Sequence, residues 1–206
     1  MGLLGAIVGA VCSLASGIMG SLSGLAISLP GLGVLAGAFL ALGKVLGLIK
    51  PETQPEDFGD QVIQAEEAGI KPENFNSYAE YMKKVEEFKV DPEKSKLIPE
   101  EDKLKKGIAV TSALAAEKYP DFPVEAFANF VIVNPQYFTA DRMTEFGKLI
   151  SGNIDRAMTV FGYMNGTERN GNKLESAQNT LLNIEKTVNP NISDSDALKN
   201  VLSARK

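Results

Sequence analysis

The chain has 206 residues, a net charge of −5 and no histidine or tryptophan, and its single cysteine is Cys12. Without histidine there is no usual general base, no common zinc ligand and no Ser-His or Cys-His pair. A lone cysteine excludes an intramolecular disulfide, and an acidic chain without a basic stripe argues against nucleic acid as a partner. We therefore expect no enzymatic activity, no cofactor and no metal site.

The N-terminal quarter of the chain is uncharged as far as Lys44 and rich in glycine. An apolar run of about 18 residues or more is typical of a membrane-spanning helix. Pro30 and Gly31 divide this run, because proline lacks a backbone donor and clashes with the preceding helical turn. We predict two helices, 2–29 and 31–49, joined as a hairpin that turns at Pro30 and Gly31.

The two predicted segments differ in length and in their tendency to enter a membrane. At 1.5 Å per residue they span about 42 and 28 Å, against a hydrocarbon core of about 30 Å. The first carries eleven Leu, Ile or Val residues, which contribute on the order of −5 kcal/mol to insertion. Its six glycines and five serines reduce that gain. We interpret both segments as moderate inserters that self-association or a partner stabilises.

Small residues recur at every fourth position of these segments, which places them on one face of a helix. Such a face lets another helix approach closely, as in GxxxG dimers. We predict that these glycine-zipper-like rows drive helix packing and oligomerisation. The candidate residues are Gly5, Gly9, Ser13, Gly17 and Ser21 in one row, Gly20 and Gly24 in a second, and Gly33 and Gly37 in a third.

Several explanations of the apolar segment compete. A cleaved secretory signal needs a basic start and a short apolar core, and this segment has neither, so we expect no cleaved-signal secretory protein. A buried core hairpin would also be apolar all round, but close packing favours bulkier side chains than glycine. The others are a permanent two-helix anchor and a segment that stays shielded and inserts later. The missing tryptophan belt favours the last.

The composition changes sharply at Lys50 and Pro51. All 26 acidic residues follow this point, together with 19 of the 21 basic ones. No strand-like alternation of useful length occurs, so we predict an all-α protein. Its predicted parts are a glycine-rich hydrophobic helical hairpin over 1–50, a linker over 51–59 and a compact, acidic multi-helix domain over 60–206.

The acidic domain reads as a succession of amphipathic helices. We predict helices over 60–68, 74–89, 99–118, 123–133, 139–151, 153–164, 172–188 and 194–204, the last capped by Ser193. Adjacent acids such as Glu66 and Glu67 do not face each other on a helix, so we interpret them as parts of solvated faces. The predicted core consists of aromatic residues: Phe122, Phe127, Phe130, Tyr137, Phe138, Phe146, Phe161 and Tyr163.

The leading functional hypothesis is a non-enzymatic, membrane-active protein whose hairpin oligomerises and inserts into, or conducts across, a membrane. The plan resembles delivered components of phage tails and bacterial secretion machines, in which a shielded glycine-rich segment joins a helical domain. That resemblance implies a membrane location, or a particle delivered to a membrane. Expected partners are membrane lipid, a shielding protein and further copies of the chain.

Two other functions stay open. One is a resident membrane protein anchored by the hairpin, with a cytoplasmic binding domain, because Lys44 and Lys50 flank the second helix and positive residues favour the cytoplasmic side. The other is a structural subunit whose hairpin is buried inside a protein assembly. Both lipid and a protein groove satisfy the same apolar helices.

Overall fold

A computed structural model describes the backbone of residues 3–205 and the side chains of residues 12–205. The described chain is compact and holds eleven α-helices, one 3-10 helix and no strand, and 74% of it is helical. The predicted all-α class is confirmed. Among the helices of the described part, none combines the length and the apolar character that crossing a membrane requires.

The elements follow one another with short connections. The helices are α1 (Leu3–Ser23), α2 (Leu29–Val45), α3 (Pro55–Glu67), a 3-10 helix (Pro72–Asn74), α4 (Tyr78–Glu87), α5 (Pro92–Leu97), α6 (Glu100–Lys118), α7 (Val124–Val133), α8 (Ala140–Gly152), α9 (Ile154–Met164), α10 (Gly171–Val188) and α11 (Asp194–Ala204). All eight helices predicted in the acidic half are found, and α5 is an addition. Because α3 starts at Pro55, the segment predicted as a linker is partly helical.

The break between the first two helices lies earlier than predicted, over residues 24–28. Ser28 caps α2, since its Oγ accepts a hydrogen bond from the Gly31 backbone N–H at 3.4 Å. Pro30 lies in the first turn of α2, where a missing N–H costs no helical hydrogen bond. Pro30 and Gly31 therefore begin a helix and do not form the turn.

The two N-terminal helices pack mainly on other parts of the chain. In the described residues α1 lies against α6, with smaller contacts to α7 and the 3-10 helix, whereas α2 lies between α6 and α8 and touches α3. A self-contained glycine-rich hairpin is therefore not confirmed. The packing of α2 also crosses the compositional boundary at residue 50. Its buried residues are Leu32, Leu35, Ala36, Ala38, Phe39, Leu40, Leu42 and Gly43.

Helix α6 is the central element, because residues 107–115 are buried without interruption. Its side chains divide between two hydrophobic clusters. Ile108 belongs to the larger one, with α2 and the aromatic residues, and Val110 belongs to the smaller one, with α3 and α4. The buried hydroxyls of Thr111 and Ser112 donate to carbonyl oxygens four residues earlier, at 2.8 and 2.9 Å. Burial of this helix thus leaves neither hydroxyl unsatisfied.

The aromatic residues predicted as core form the centre of the larger cluster. All eight are buried. The Phe127 ring meets Phe122, Phe138 and Phe161 edge to face, with centroid distances of 5.4 to 5.9 Å. Edge-to-face pairs of this kind add about 0.5–1.5 kcal/mol each beyond their buried area. The predicted aromatic core is confirmed.

Close helix packing at glycine does occur in this fold, at positions that were not predicted. A Cβ placed on Gly59 of α3 would collide with the backbone of Lys103 on α6, and one on Gly147 of α8 would collide with the Val45 side chain. On α2, a Cβ on Gly43 would lie 2.6 Å from the Ile49 side chain. Gly59 thus sets the separation of α3 and α6, and Gly147 sets that of α8 and α2.

A matched pair of substitutions distinguishes contact glycines from uncovered ones. Gly59→Ala forces α3 away from a backbone atom, so we expect a loss of about 1–3 kcal/mol. Gly37→Ala places its methyl group in open space inside a helix, so we expect a gain of about 0.5–1 kcal/mol. Urea unfolding of both variants measures the two changes, and equal effects would contradict this assignment.

The C-terminal helices are joined by a buried ion pair between Arg142 of α8 and Glu185 of α10. Arg142 Nε and Nη2 donate to the two carboxylate oxygens at 2.6 and 2.7 Å, and Asn200 of α11 donates to the same carboxylate at 2.9 Å. The Glu185 side chain is fully buried. Burial alone would raise the pKa of Glu185, but the hydrogen bonds from Arg142 and Asn200 outweigh it and lower that pKa.

We predict that Glu185→Gln destabilises the protein by about 3–5 kcal/mol at neutral pH, because it leaves the buried Arg142 without its counter-ion. Since the folded-state pKa of Glu185 is lowered, its stabilisation is complete above about pH 4.3, the unfolded value, and is lost as pH falls further. The variant should lose this part of the acid dependence. Urea unfolding between neutral and acidic pH measures both effects.

Glu93→Gln is the control for this prediction. Glu93 pairs with Lys96 at 2.7 Å on the surface, where both side chains are mostly exposed. Such a pair contributes at most about 0.5 kcal/mol. If Glu93→Gln lost as much stability as Glu185→Gln, burial of the Arg142–Glu185 pair would have no special effect.

Candidate functional site

The described members of the small-residue rows, predicted as packing faces, are exposed or half-buried on α1 and α2. The other face of α1 carries Ile18 and Leu22, which are fully buried. Ser13, Gly17, Gly20 and Gly24 are exposed, Ser21, Gly33 and Gly37 are half-buried, and Gly5 and Gly9 fall outside the residues whose side chains are described.

These rows receive little cover from the rest of the chain. A Cβ added to Gly20, Gly33 or Gly37 would meet nothing within 4 Å. One added to Gly17 would lie 3.4 Å from Glu125 Oε1 on α7, which is ordinary contact. The fold therefore does not use Gly20, Gly33 or Gly37 to bring two of its own helices together, and their role in oligomerisation stays a prediction.

Helix α1 packs extensively on α6, along a ridge between two cavities that open to the surface. The ridge is formed by Ile18 and Leu22, with Leu14 and Met19 partly buried beside them. A cavity of about 530 Å³ lies on the side of α7, and one of about 450 Å³ lies on the side of α3 and the 3-10 helix.

The cavity of about 450 Å³ contains a polar cluster next to Cys12. Glu66 accepts a hydrogen bond from Lys106 Nζ at 2.6 Å and another from the Tyr81 hydroxyl at 2.8 Å. Burial, followed by the carboxylates of Glu73 and Glu66, raises the pKa of the Cys12 thiol. A raised pKa keeps the thiol protonated and a poor nucleophile. The cluster pairs the charges that lie beneath α1.

Glu66 differs from its predicted position on a solvated face. It is half-buried, whereas Glu67 beside it is exposed. The signal for this difference is Tyr81 of α4, which is fully buried. A buried tyrosine needs an acceptor for its hydroxyl, and Glu66 supplies it.

A second polar cluster fastens the short helix α5, which sequence patterns missed. Lys103 lies 3.2 Å from the buried Asp60 carboxylate and donates to the Ser95 carbonyl oxygen at 2.8 Å. Gln64 joins Asp60 to Asp91 at the start of α5. Burial would raise the pKa of Asp60, but hydrogen bonds from Ser95, Gln64 and Lys103 lower it. This cluster joins α3, α5 and α6.

A further groove of about 920 Å³ lies between α9 and α10. Its lining includes Asp155 and Glu168 as well as Arg156 and Lys173, so charges of both signs are present in equal number. Arg156 is also engaged, because its Nε donates to Thr180 Oγ1 at 2.9 Å. No residue of the predicted small-residue rows lies in this groove.

Neither the side chains of these features nor similarity to known proteins assigns an activity to them. In the described part of the chain no three His, Cys, Asp or Glu side chains lie close enough to hold a metal ion. Comparison with protein-family models, with curated proteins and with solved structures finds no match to this chain. The argument for function therefore starts from α1 and its support.

We predict that Gly20→Leu does not destabilise the folded chain and adds up to about 1 kcal/mol, because a Cβ there meets nothing within 4 Å and leucine favours a helix more than glycine does. If the rows join separate copies, the same substitution weakens self-association. Gly147→Leu is the contrasting variant, since any side chain there overlaps Val45, and it should unfold the protein. Thermal unfolding and analytical ultracentrifugation measure the two properties separately. A destabilised Gly20→Leu would show that this face is covered within one chain.

Proposed function

We propose that this is a non-enzymatic, membrane-active component of a larger assembly, in which α1 is the inserting segment and α2 fastens it to the helical domain. The observation that carries the proposal is the unequal burial of the two apolar helices. Over residues 12–23, α1 buries only Ile18 and Leu22 completely, whereas α2 contributes eight buried residues to the core.

The energetic comparison supports α1 as the releasable helix. Exposing Ile18 and Leu22 costs about 3–6 kcal/mol, at 1.5–3 kcal/mol for each large apolar side chain. Residues 12–29 hold six Leu, Ile or Val side chains, which return about 2–4 kcal/mol on entering a bilayer. Releasing this part of α1 thus costs at least as much as its insertion returns, and a partner or a membrane supplies the difference.

The same comparison keeps α2 in place. Five of its buried side chains are large and apolar, so exposing them costs about 8–15 kcal/mol. Lys118 Nζ also donates to the Leu46 carbonyl oxygen at 2.6 Å, just after α2 ends. Such a cation satisfies and stabilises the end of a helix. Helix α2 thus acts as the attachment of α1 to the domain.

A structural subunit is the second candidate, and the uncovered glycine face favours it. Small residues such as Gly20 and Gly33 leave open space on α1 and α2, which suits a helix from another protein. In that function α1 stays on α6 permanently. The two candidates differ in whether α1 must leave its position.

The proposed function is tested by locking α1 onto α6. Cys12 and Ala109 line the same cavity, and the chain has no second cysteine, so Ala109→Cys provides one specific partner. A disulfide or a short thiol crosslinker then joins α1 to α6. We expect the reduced protein to release dye from phosphatidylcholine vesicles, and the locked protein to release no more than protein-free vesicles. Adding a reductant to the disulfide form should restore release.

The matched control carries both Ala109→Cys and Cys12→Ser, and so cannot be locked. It should release dye equally with and without oxidant. Full dye release by the locked protein would contradict the proposal, because it would show that release does not require α1 to leave α6. Absence of release by every form, under all lipid compositions, would favour the structural subunit.

A further inference from the structure

An exposed apolar corner lies where α1 meets α2. We define the corner as residues 24–34, which include Leu25, Leu29 and Val34 with exposed fractions of 40, 44 and 55%. The other exposed large hydrophobic residues of the described chain lie one each on α5, α7, α9 and α11: Leu97, Val133, Met158 and Leu202. Single exposed hydrophobic residues are ordinary, but three within ten residues concentrate exposed apolar surface in one stretch of the chain.

The corner is also remote from charge along its own helices. The nearest charged residue in sequence is Lys44, ten residues beyond Val34, or about 15 Å along the helix. On the other side, Glu125 contacts α1 at Gly17, about two turns before the corner begins.

The remaining surface has the opposite character. Residues 51–206 hold all 26 acidic residues and 19 basic ones, so this part of the protein is repelled by anionic lipid. An uncharged apolar surface, in contrast, enters the boundary between headgroups and acyl chains without electrostatic cost. The difference in charge selects a bilayer with no net charge as the surface that the corner fits.

We propose that the corner, through Leu25, Leu29 and Val34, is the surface that first contacts a membrane, and that it selects zwitterionic over anionic lipid. The inference rests on the proposed function, since it names the entry point and the lipid class for the insertion of α1. Contact at the corner places the C-terminal end of α1 at the bilayer before α1 leaves α6.

The test measures binding of the full chain to vesicles by flotation. We expect binding to phosphatidylcholine vesicles, and weaker binding to vesicles made of equal parts of phosphatidylcholine and phosphatidylserine. Leu25→Asp, Leu29→Asp and Val34→Asp should each weaken binding to phosphatidylcholine about tenfold. Leu97→Asp is the matched control, because Leu97 is 82% exposed but lies on α5, and its binding should not change. Unchanged thermal unfolding confirms that each variant is folded.

A fluorescent reporter gives the position of contact. The chain has no tryptophan, so Leu25→Trp and Leu97→Trp each introduce a single one. On addition of phosphatidylcholine vesicles the emission of the first should shift to shorter wavelength, while that of the second stays in place. Equal shifts at both positions would overturn the assignment of the corner.

The outcomes separate this inference from the proposed function. If the wild-type chain floats and releases dye but the three aspartate variants bind as well as it does, the corner is not the entry point and the proposed function stands. If the wild-type chain neither floats nor releases dye, the proposed function itself fails. If the variants convert an oligomer to a monomer in ultracentrifugation while vesicle binding is unchanged, the corner joins copies of the chain, and the inference is overturned.

Discussion

The structure depends on the burial of α6. Residues 107–115 contact protein on every side, so the elements around this helix must supply apolar surfaces in all directions. The surrounding helices α1, α2, α3, α4 and α7 do so. A helix in this position needs small side chains where neighbours come close and a partner for every hydroxyl. Gly107 and the alanines of α6 meet the first requirement, and the internal hydrogen bonds of Thr111 and Ser112 meet the second.

This constraint explains why an uncharged N-terminal segment accompanies an acidic domain. Helices α3, α4 and α7 cover part of α6, and α1 and α2 cover its remaining sides. The apolar character that suggests a membrane in the sequence is thus used, in part, to cover a protein helix. α2 fulfils this role completely, and α1 does so with one face. Because one face of α1 stays exposed, α1 alone can also contact a membrane or another protein.

Sequence patterns predicted much of the fold and little of the candidate site. Capping residues such as Ser193, whose Oγ accepts from the Asp196 backbone N–H at 3.1 Å, and the regular spacing of the aromatic residues are local signals, so the helices and the core could be predicted. The break at Pro30 was misplaced because proline ends one helix or begins another with equal ease, and only the cap at Ser28 distinguishes the two cases. Glycines in contact and glycines in the open have the same sequence signature. The difference between Gly59 and Gly37 depends on which helix crosses there, and spacing within one segment does not contain that information.

Because α1 is attached along one face only, the molecule has regions of different local stability. The connection at residues 24–28 holds only short-range backbone bonds, such as Gly24 N–H to the Gly20 oxygen at 3.0 Å and Ile27 N–H to the Leu25 oxygen at 2.9 Å. Opening of α1 therefore requires less free energy than global unfolding, and its amide protons exchange through a local event while those of α6 await loss of the whole core. A protease that cuts at the connection would then meet its substrate in the native population, at a rate set by that local equilibrium. Exposure to such a protease would therefore show as the loss of about the first two dozen residues, while the remaining helices stay folded around α2.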